Sequence, residues 1–342
     1  MVRYLDTSLP PLSLGFIALG FLVPALISLP VVLNSLPTPS KPKRKPGLKA
    51  APEGPLKDRA LDIYPEDIHG PGAYAELPLG KVKYWIIGPE DGARVTLIHG
   101  FSIPSFVFTD VAKHLVSQGF RVLLYDLYGR GYSDAPDTTY DGTLYITQVA
   151  LLLQHVGWDK TYVAGLSMGG GITGAFAATF PNLVNGKIAV IASAGAMQTT
   201  FTISQRIMTS PLVVSSGVSG LLSKGVQARR FKAQKAGTPA AQSVELVGIQ
   251  MALLPGYPWA LASSVRYGPL RGEEESFAKV GASDIKVLMI WGTEDSTVPF
   301  RYTGVLQKLM PQAELVTVEG AEHDVTITHA EVVGAALAKF FS

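Results

Sequence analysis

After residue 55 the chain alternates short β-branched apolar runs with longer stretches whose apolar positions recur at helical spacing. That alternation predicts an α/β fold, a mostly parallel sheet with helices on both faces. Strands are expected at Lys81–Ile87 and Arg94–Ile98, split by the turn Gly88-Pro89-Glu90-Asp91-Gly92, then at Arg121–Tyr125, Thr161–Ala164, Lys187–Ala192, Lys286–Trp291 and Glu314–Val318. Helices fill most intervals, at about 105–118, 142–156, 168–180, 302–310 and 328–341. No internal repeat is visible. The rhythm breaks once, between Ala192 and Lys286, where roughly ninety residues separate two strands, far more than a crossover helix needs. Apolar stretches at 211–222 and 244–262 make this interval suited to folding over something, and an inserted helical cap is expected over about 198–283.

The amino-terminal pattern is different. No charge occurs from Thr7 to Ser40, and Leu12–Leu33 is apolar apart from Ser and Gly. About 22 residues at ~1.5 Å each reach ~33 Å, enough for the ~30 Å of bilayer hydrocarbon. The run exceeds a usual signal-peptide core and lacks an Ala-x-Ala cleavage site, which favours a retained transmembrane anchor; Pro24 and Pro30 leave a kinked span or a hairpin open. In Thr38–Lys49 five cations alternate with prolines, which reads as an extended, solvated linker, either attracted to anionic headgroups or simply a topogenic cluster. The Lys/Arg excess on this side predicts that the main domain faces the cytosol; a single-pass anchor of this kind is compatible with the endoplasmic reticulum or a similar endomembrane, and the sequence does not select the membrane. The organisation expected is an anchor and linker over residues 1–55 and one large domain over 56–342.

Charge sharpens the division. The net charge of +2 over 342 residues conceals +5 in residues 1–50, from six cations and one acid, against −3 in the remainder, with 23 cations and 26 acids. A basic body suited to nucleic acid is therefore absent. With no cysteine, a disulfide framework, a thiolate nucleophile and a Cys-based zinc site are all excluded.

The candidate chemistry centres on Gly165-Leu166-Ser167-Met168-Gly169, between an expected strand and an expected helix. A serine on such a tight turn is held in a strained backbone, and small residues two positions either side let strand and helix approach. The same turn aims the N–H of Met168 at a developing oxyanion. A serine alcohol needs a base, and the base needs an orienting acid. His323 lies in a loop past the last strand, and Asp295 in a loop past the one before it, with Glu294 the nearest rival. Both loops leave the carboxyl edge of the sheet, as Ser167 does. Among the other histidines, His329 reads as a surface residue, His114 and His155 as solvent-facing, His69 as without a role and His99 as structural. Gly100 permits a sharp turn that exposes the N–H of Phe101 as a second oxyanion donor. The glycine-rich loop beginning at Asp126 reads as a tight structural loop.

At these residues the sequence resembles the α/β-hydrolase family: His99-Gly100-Phe101, the loop from Asp126, Gly165–Gly169, Asp295 and His323 stand in family order over about Leu79 to the C terminus. With its apolar amino terminus and Ser-Met-Gly-Gly turn, the chain resembles membrane-anchored monoacylglycerol lipases and related lipid esterases. The resemblance implies a serine hydrolase of carboxylic esters, with Ser167 as nucleophile, His323 as base and Asp295 as acid. Its expected partners are a lipid ester and the surrounding membrane lipids, and neither a metal nor an organic cofactor is called for. Carbon–carbon bond hydrolysis or acyl transfer on the same triad, and a non-catalytic binding role, remain alternatives; epoxide hydrolase and dehalogenase chemistry is disfavoured because it needs a carboxylate where Ser167 stands.

Overall fold

In chain order the elements are β1 (Arg44–Lys45), α1 (Pro55–Ile63), β2 (Gly72–Leu77), β3 (Gly80–Ile87), β4 (Arg94–Ile98), α2 (Thr109–Ser117), β5 (Arg121–Tyr125), β6 (Ala135–Pro136), α3 (Gly142–His155), β7 (Thr161–Leu166), α4 (Met168–Thr179), β8 (Val184–Ile191), α5 (Pro239–Leu253), α6 (Tyr257–Tyr267), α7 (Glu274–Gly281), β9 (Lys286–Gly292), α8 (Tyr302–Leu309), β10 (Glu314–Val318), α9 (Val325–Thr328) and α10 (Ala330–Phe341). The computed structural model describes residues 43–197 and 237–342. Eight strands form one sheet in the order β10-β9-β8-β7-β4-β5-β3-β2, parallel from β10 to β5 and antiparallel at β3 and β2. The central strands are β-branched and aliphatic because helices cover both of their faces: β4, β5 and β9 are buried at every residue but the first.

The helices follow from their apolar spacing. In α10, Val333, Leu337 and Phe341 recur every fourth residue and are buried, and this stripe faces α2. Asp141 caps α3 by accepting from Leu144 N at 2.8 Å. β4 is flanked by β5 on one side and β7 on the other, so the chain turns opposite ways after these neighbours and leaves a crevice at their carboxyl ends. Ser167 and Phe101 lie at that crevice.

Three features differ from expectation. The sheet has an additional edge strand, β2, and α1 precedes it. The basic segment Lys43–Lys49, expected to be extended and solvated, packs on the sheet domain: β1 pairs with β6, Leu48 is fully buried, and Arg44 bonds Asp134 at 3.2 Å. The compact unit accordingly starts at Lys43. His114, expected on a solvent face, is half-buried against Gly334 of α10. Of the interval assigned to a cap, residues 198–236 lie outside the described residues; α5 and α6 reach the loops at the carboxyl edge, and α7 packs on α4 and α8 as a crossover helix does. Among the described residues no helix is long and apolar enough to cross a membrane, and Leu12–Leu33 falls outside them.

Candidate active site

Ser167 stands between β7 and α4 with φ 56° and ψ −118°, a backbone region that L-residues rarely adopt. The surroundings hold it there. Its N–H donates to Ile191 O at 2.9 Å, and its carbonyl accepts from Gly170 N and Ala194 N, each at 2.9 Å. A Cβ at Gly165 would stand 2.0 Å from Gly169 O, and one at Gly169 would stand 2.1 Å from Ile98 O. Glycine is therefore required on both sides because strand and helix backbones touch. Met168 opens α4, so its N–H belongs to the first turn, where donors have no intrahelical acceptor.

The loop after β4 lies against this turn, since Ile98 pairs with Gly165 and a Cβ at Gly100 would come 3.3 Å from Ser167 Cβ. His99 organises it. Leu127 N donates to His99 Nε2 at 2.8 Å, so in the neutral ring the proton sits on Nδ1, which donates to Gly100 O at 2.9 Å. In a trans peptide the N–H points opposite to the C=O, so holding Gly100 O turns the Phe101 N–H the other way. Burial, aided by the Arg130 charge, pushes the His99 pKa down to about 3, which keeps the ring neutral and this arrangement intact.

The carboxylate of Asp295 and the imidazole of His323 meet. His323 Nδ1 lies 2.8 Å from Asp295 Oδ2, while Asp295 Oδ1 accepts from Thr297 N and Val298 N, both at 2.8 Å. The Asp295 side chain is fully buried and its rival Glu294 is exposed, so the carboxylate expected from the sequence is the one that meets His323. With the carboxylate accepting at Nδ1, the imidazole carries its proton there and leaves Nε2 bare. After β10, at one end of the sheet, the chain passes through His323 into α9, which packs on α2, α5 and the Ser105–Phe108 turn following β4. The loop therefore crosses the carboxyl ends of the strands between, β7 included. Among the described residues no hydrogen bond joins the Ser167 hydroxyl to His323.

A second buried cluster supports the loops. Asp126 Oδ1 accepts from Tyr64 Oη at 2.7 Å and Ser105 N at 3.0 Å, and Oδ2 from Tyr132 N at 2.9 Å. Burial pushes its pKa up to about 6 even against these hydrogen bonds, which favour the charged form. His69 Nε2 reaches Ser105 Oγ at 3.1 Å, and burial with the Lys113 charge lowers its pKa to about 3. His69 thus has a structural place the sequence did not reveal. His155 is exposed, edge-on to Tyr84, and His329 is half-buried beside Thr328. Clefts of about 440 and 380 Å³ flank β1, and neither is lined by Ser167, Asp295 or His323.

The sheet order, the serine turn and the paired imidazole and carboxylate together delimit a known class. The family model described as "Alpha/beta hydrolase family" matches residues 97–336, and the chain belongs to that family. Among relatives, an uncharacterised protein of Mycobacterium tuberculosis is 29% identical over 68% of this chain and 70% of its own length. Lipase 1 of Psychrobacter immobilis is 27% identical over 71% of this chain and 75% of its own. A solved esterase from Exiguobacterium antarcticum superposes with a TM-score of 0.65 at 19% identity, covering 79% of this chain and 99% of that one.

Proposed function

We propose that this hydrolase of the α/β fold is a serine hydrolase of carboxylic esters, with lipid esters such as monoacylglycerols as its substrate class. The observation that carries the reading is the 2.8 Å bond between His323 and Asp295, which leaves Nε2 free on a loop crossing the end of the strand that bears Ser167. Ser167 Oγ would attack the ester carbonyl carbon while its proton passes to His323 Nε2, and Asp295 would offset the imidazolium charge. The negative oxygen of the tetrahedral intermediate would accept from the N–H groups of Met168 and Phe101. Collapse expels the alcohol with the proton from Nε2, and water repeats the sequence to release the acid. Similarity to a lipase supports the substrate class. The apolar run Leu12–Leu33 supports a retained anchor that would keep such a site beside its lipid, with the domain on the cytosolic side.

The test is fluorophosphonate labelling of the full chain, combined with a panel of acyl esters that includes monoacylglycerols. Labelling and turnover should both vanish in Ser167→Ala. Turnover that survives the substitution would remove the proposal, and turnover confined to short soluble esters would remove its lipid part.

A further inference from the structure

Arg130 is fully buried, and among the described residues it has no carboxylate partner. The stretch 198–236 contains neither Asp nor Glu, so none can come from there. Taking an ion out of water is expensive, and folds usually offset the cost with an opposite charge. Here the acceptors are neutral. Nε donates to Phe101 O at 3.0 Å, Nη1 to Tyr128 O at 2.9 Å and Tyr145 Oη at 2.6 Å, and Nη2 to Ser264 Oγ at 3.0 Å. The rings of Phe101, Tyr140 and Tyr145 lie within 6 Å of the guanidinium carbon, at 5.9, 5.8 and 5.5 Å.

The contact with Phe101 O belongs to a series. Gly100 O is held by His99, Phe101 O by Arg130, and Ser102 O by Tyr257 Oη at 2.6 Å and Gln250 Nε2 at 3.4 Å. Gln250 Oε1 also accepts from Gly131 N at 2.8 Å, tying the same residue to the loop that carries Arg130. Three successive carbonyls of a half-exposed loop are thus fixed by side chains, and two of the three attachments lead to α5 and α6. A loop without ladder bonds of its own is aimed by whatever holds its carbonyls.

We propose that Arg130, Tyr257 and Gln250 are positioning residues for the oxyanion loop, so that helices α5 and α6 set the aim of the Phe101 N–H. The inference rests on the reading of Phe101 as the second oxyanion donor. It also accounts for the lack of a carboxylate partner among the described residues: an acid beside Arg130 would cancel a positive field next to the place where the transition state gathers negative charge. Acyl transfer is thereby coupled to the seating of α6, because Tyr257 and Ser264 lie on that one helix.

The experiment is steady-state kinetics of the full chain on p-nitrophenyl butyrate, with fluorophosphonate labelling rates, for Tyr257→Phe, Arg130→Lys and Ser167→Ala. Tyr257→Phe keeps the ring and removes only the bond to Ser102 O. It should lower kcat about tenfold, with KM within about threefold and thermal unfolding little changed; direct loss of an oxyanion donor costs about 10²–10³-fold. Arg130→Lys keeps the charge but not the fork, and should lower kcat about a hundredfold. Labelling should slow in the same proportion, since the phosphonyl oxygen uses the same donors. A folded Tyr257→Phe protein with wild-type kcat and labelling overturns the proposal even if Arg130→Lys fails to fold. Turnover persisting in Ser167→Ala overturns the hydrolase reading and this inference together, whereas its loss there beside an unimpaired Tyr257→Phe overturns this inference alone.

Discussion

Ser167 adopts a backbone conformation it would not choose alone, and the bonds from Ile191, Gly170 and Ala194 hold it there. Its replacement by alanine leaves those bonds in place, so kcat should fall about 10⁶-fold with little change in unfolding temperature. Asp295→Asn should cost about 10⁴-fold, because an amide can present its N–H to Nδ1 and stabilise the wrong tautomer. Glu294→Gln, at an exposed neighbour, should stay near wild type, and measuring both variants on one ester distinguishes the two carboxylates. The buried histidines weaken the fold in acid. His69 has a folded pKa of about 3 against ~6.5 in the unfolded chain, so between these values only the unfolded state takes up the proton. Stability should fall as pH drops through that window, by ~1.4 kcal/mol per pH unit for each such histidine, and His99 behaves alike. Asp126 works the other way: with a folded pKa near 6 it protonates before its unfolded counterpart, adding stability as pH falls from ~6 to ~4. Urea midpoints from pH 7 to 3.5 should show the steeper loss below pH 4, and His69→Gln should flatten the slope by about one proton.

Among the elements, the strands with β-branched runs were legible because burial on both faces leaves one kind of residue along the whole strand. β2 was not, since its sequence GAYAEL is an edge strand with small and polar residues on its outer face. The helix α1 (PLKDRALDI) was missed for a related reason: it buries only Lys57, Ala60 and Ile63, too few apolar positions to set a period. The strand–turn–helix at Ser167 was legible since Gly165 answers to a local contact, with Gly169 O four residues on, even though Gly169 answers to Ile98 O on another strand. Gly165→Ala should test this, as the new methyl would meet Gly169 O. Overpacking of this kind costs about 1–3 kcal/mol, and whatever shift relieves it moves Ser167, so both unfolding temperature and kcat should drop.

On the scale of the molecule, the amino-terminal boundary is a matter of packing. Leu48 and Ala51 are buried, and Arg44 and Lys45 pair with a loop some ninety positions on. A chain beginning at Lys43 should therefore fold with near-native stability. One beginning at residue 56 should lose about 2–5 kcal/mol from the vacated Leu48 site alone, whereas the half-exposed Arg44–Asp134 contact adds at most ~1 kcal/mol. Denaturant unfolding of the two chains checks this. If Leu12–Leu33 is the proposed anchor, the full chain should sediment with membranes and resist carbonate extraction, while the chain from Lys43 remains in the supernatant.

By itself the sequence determined the alternation of strand and helix, the turn that carries Ser167, and the order of three candidate residues along the chain, because each depends on neighbours a few positions away. Tertiary structure alone decided that Asp295 is buried against His323 while Glu294 is exposed, that Lys43–Leu48 belongs to the domain, and that Arg130 lies buried beneath the loop of Phe101. Those outcomes depend on which side chain a distant loop meets after the sheet has assembled, and spacing along the chain carries no record of that distance.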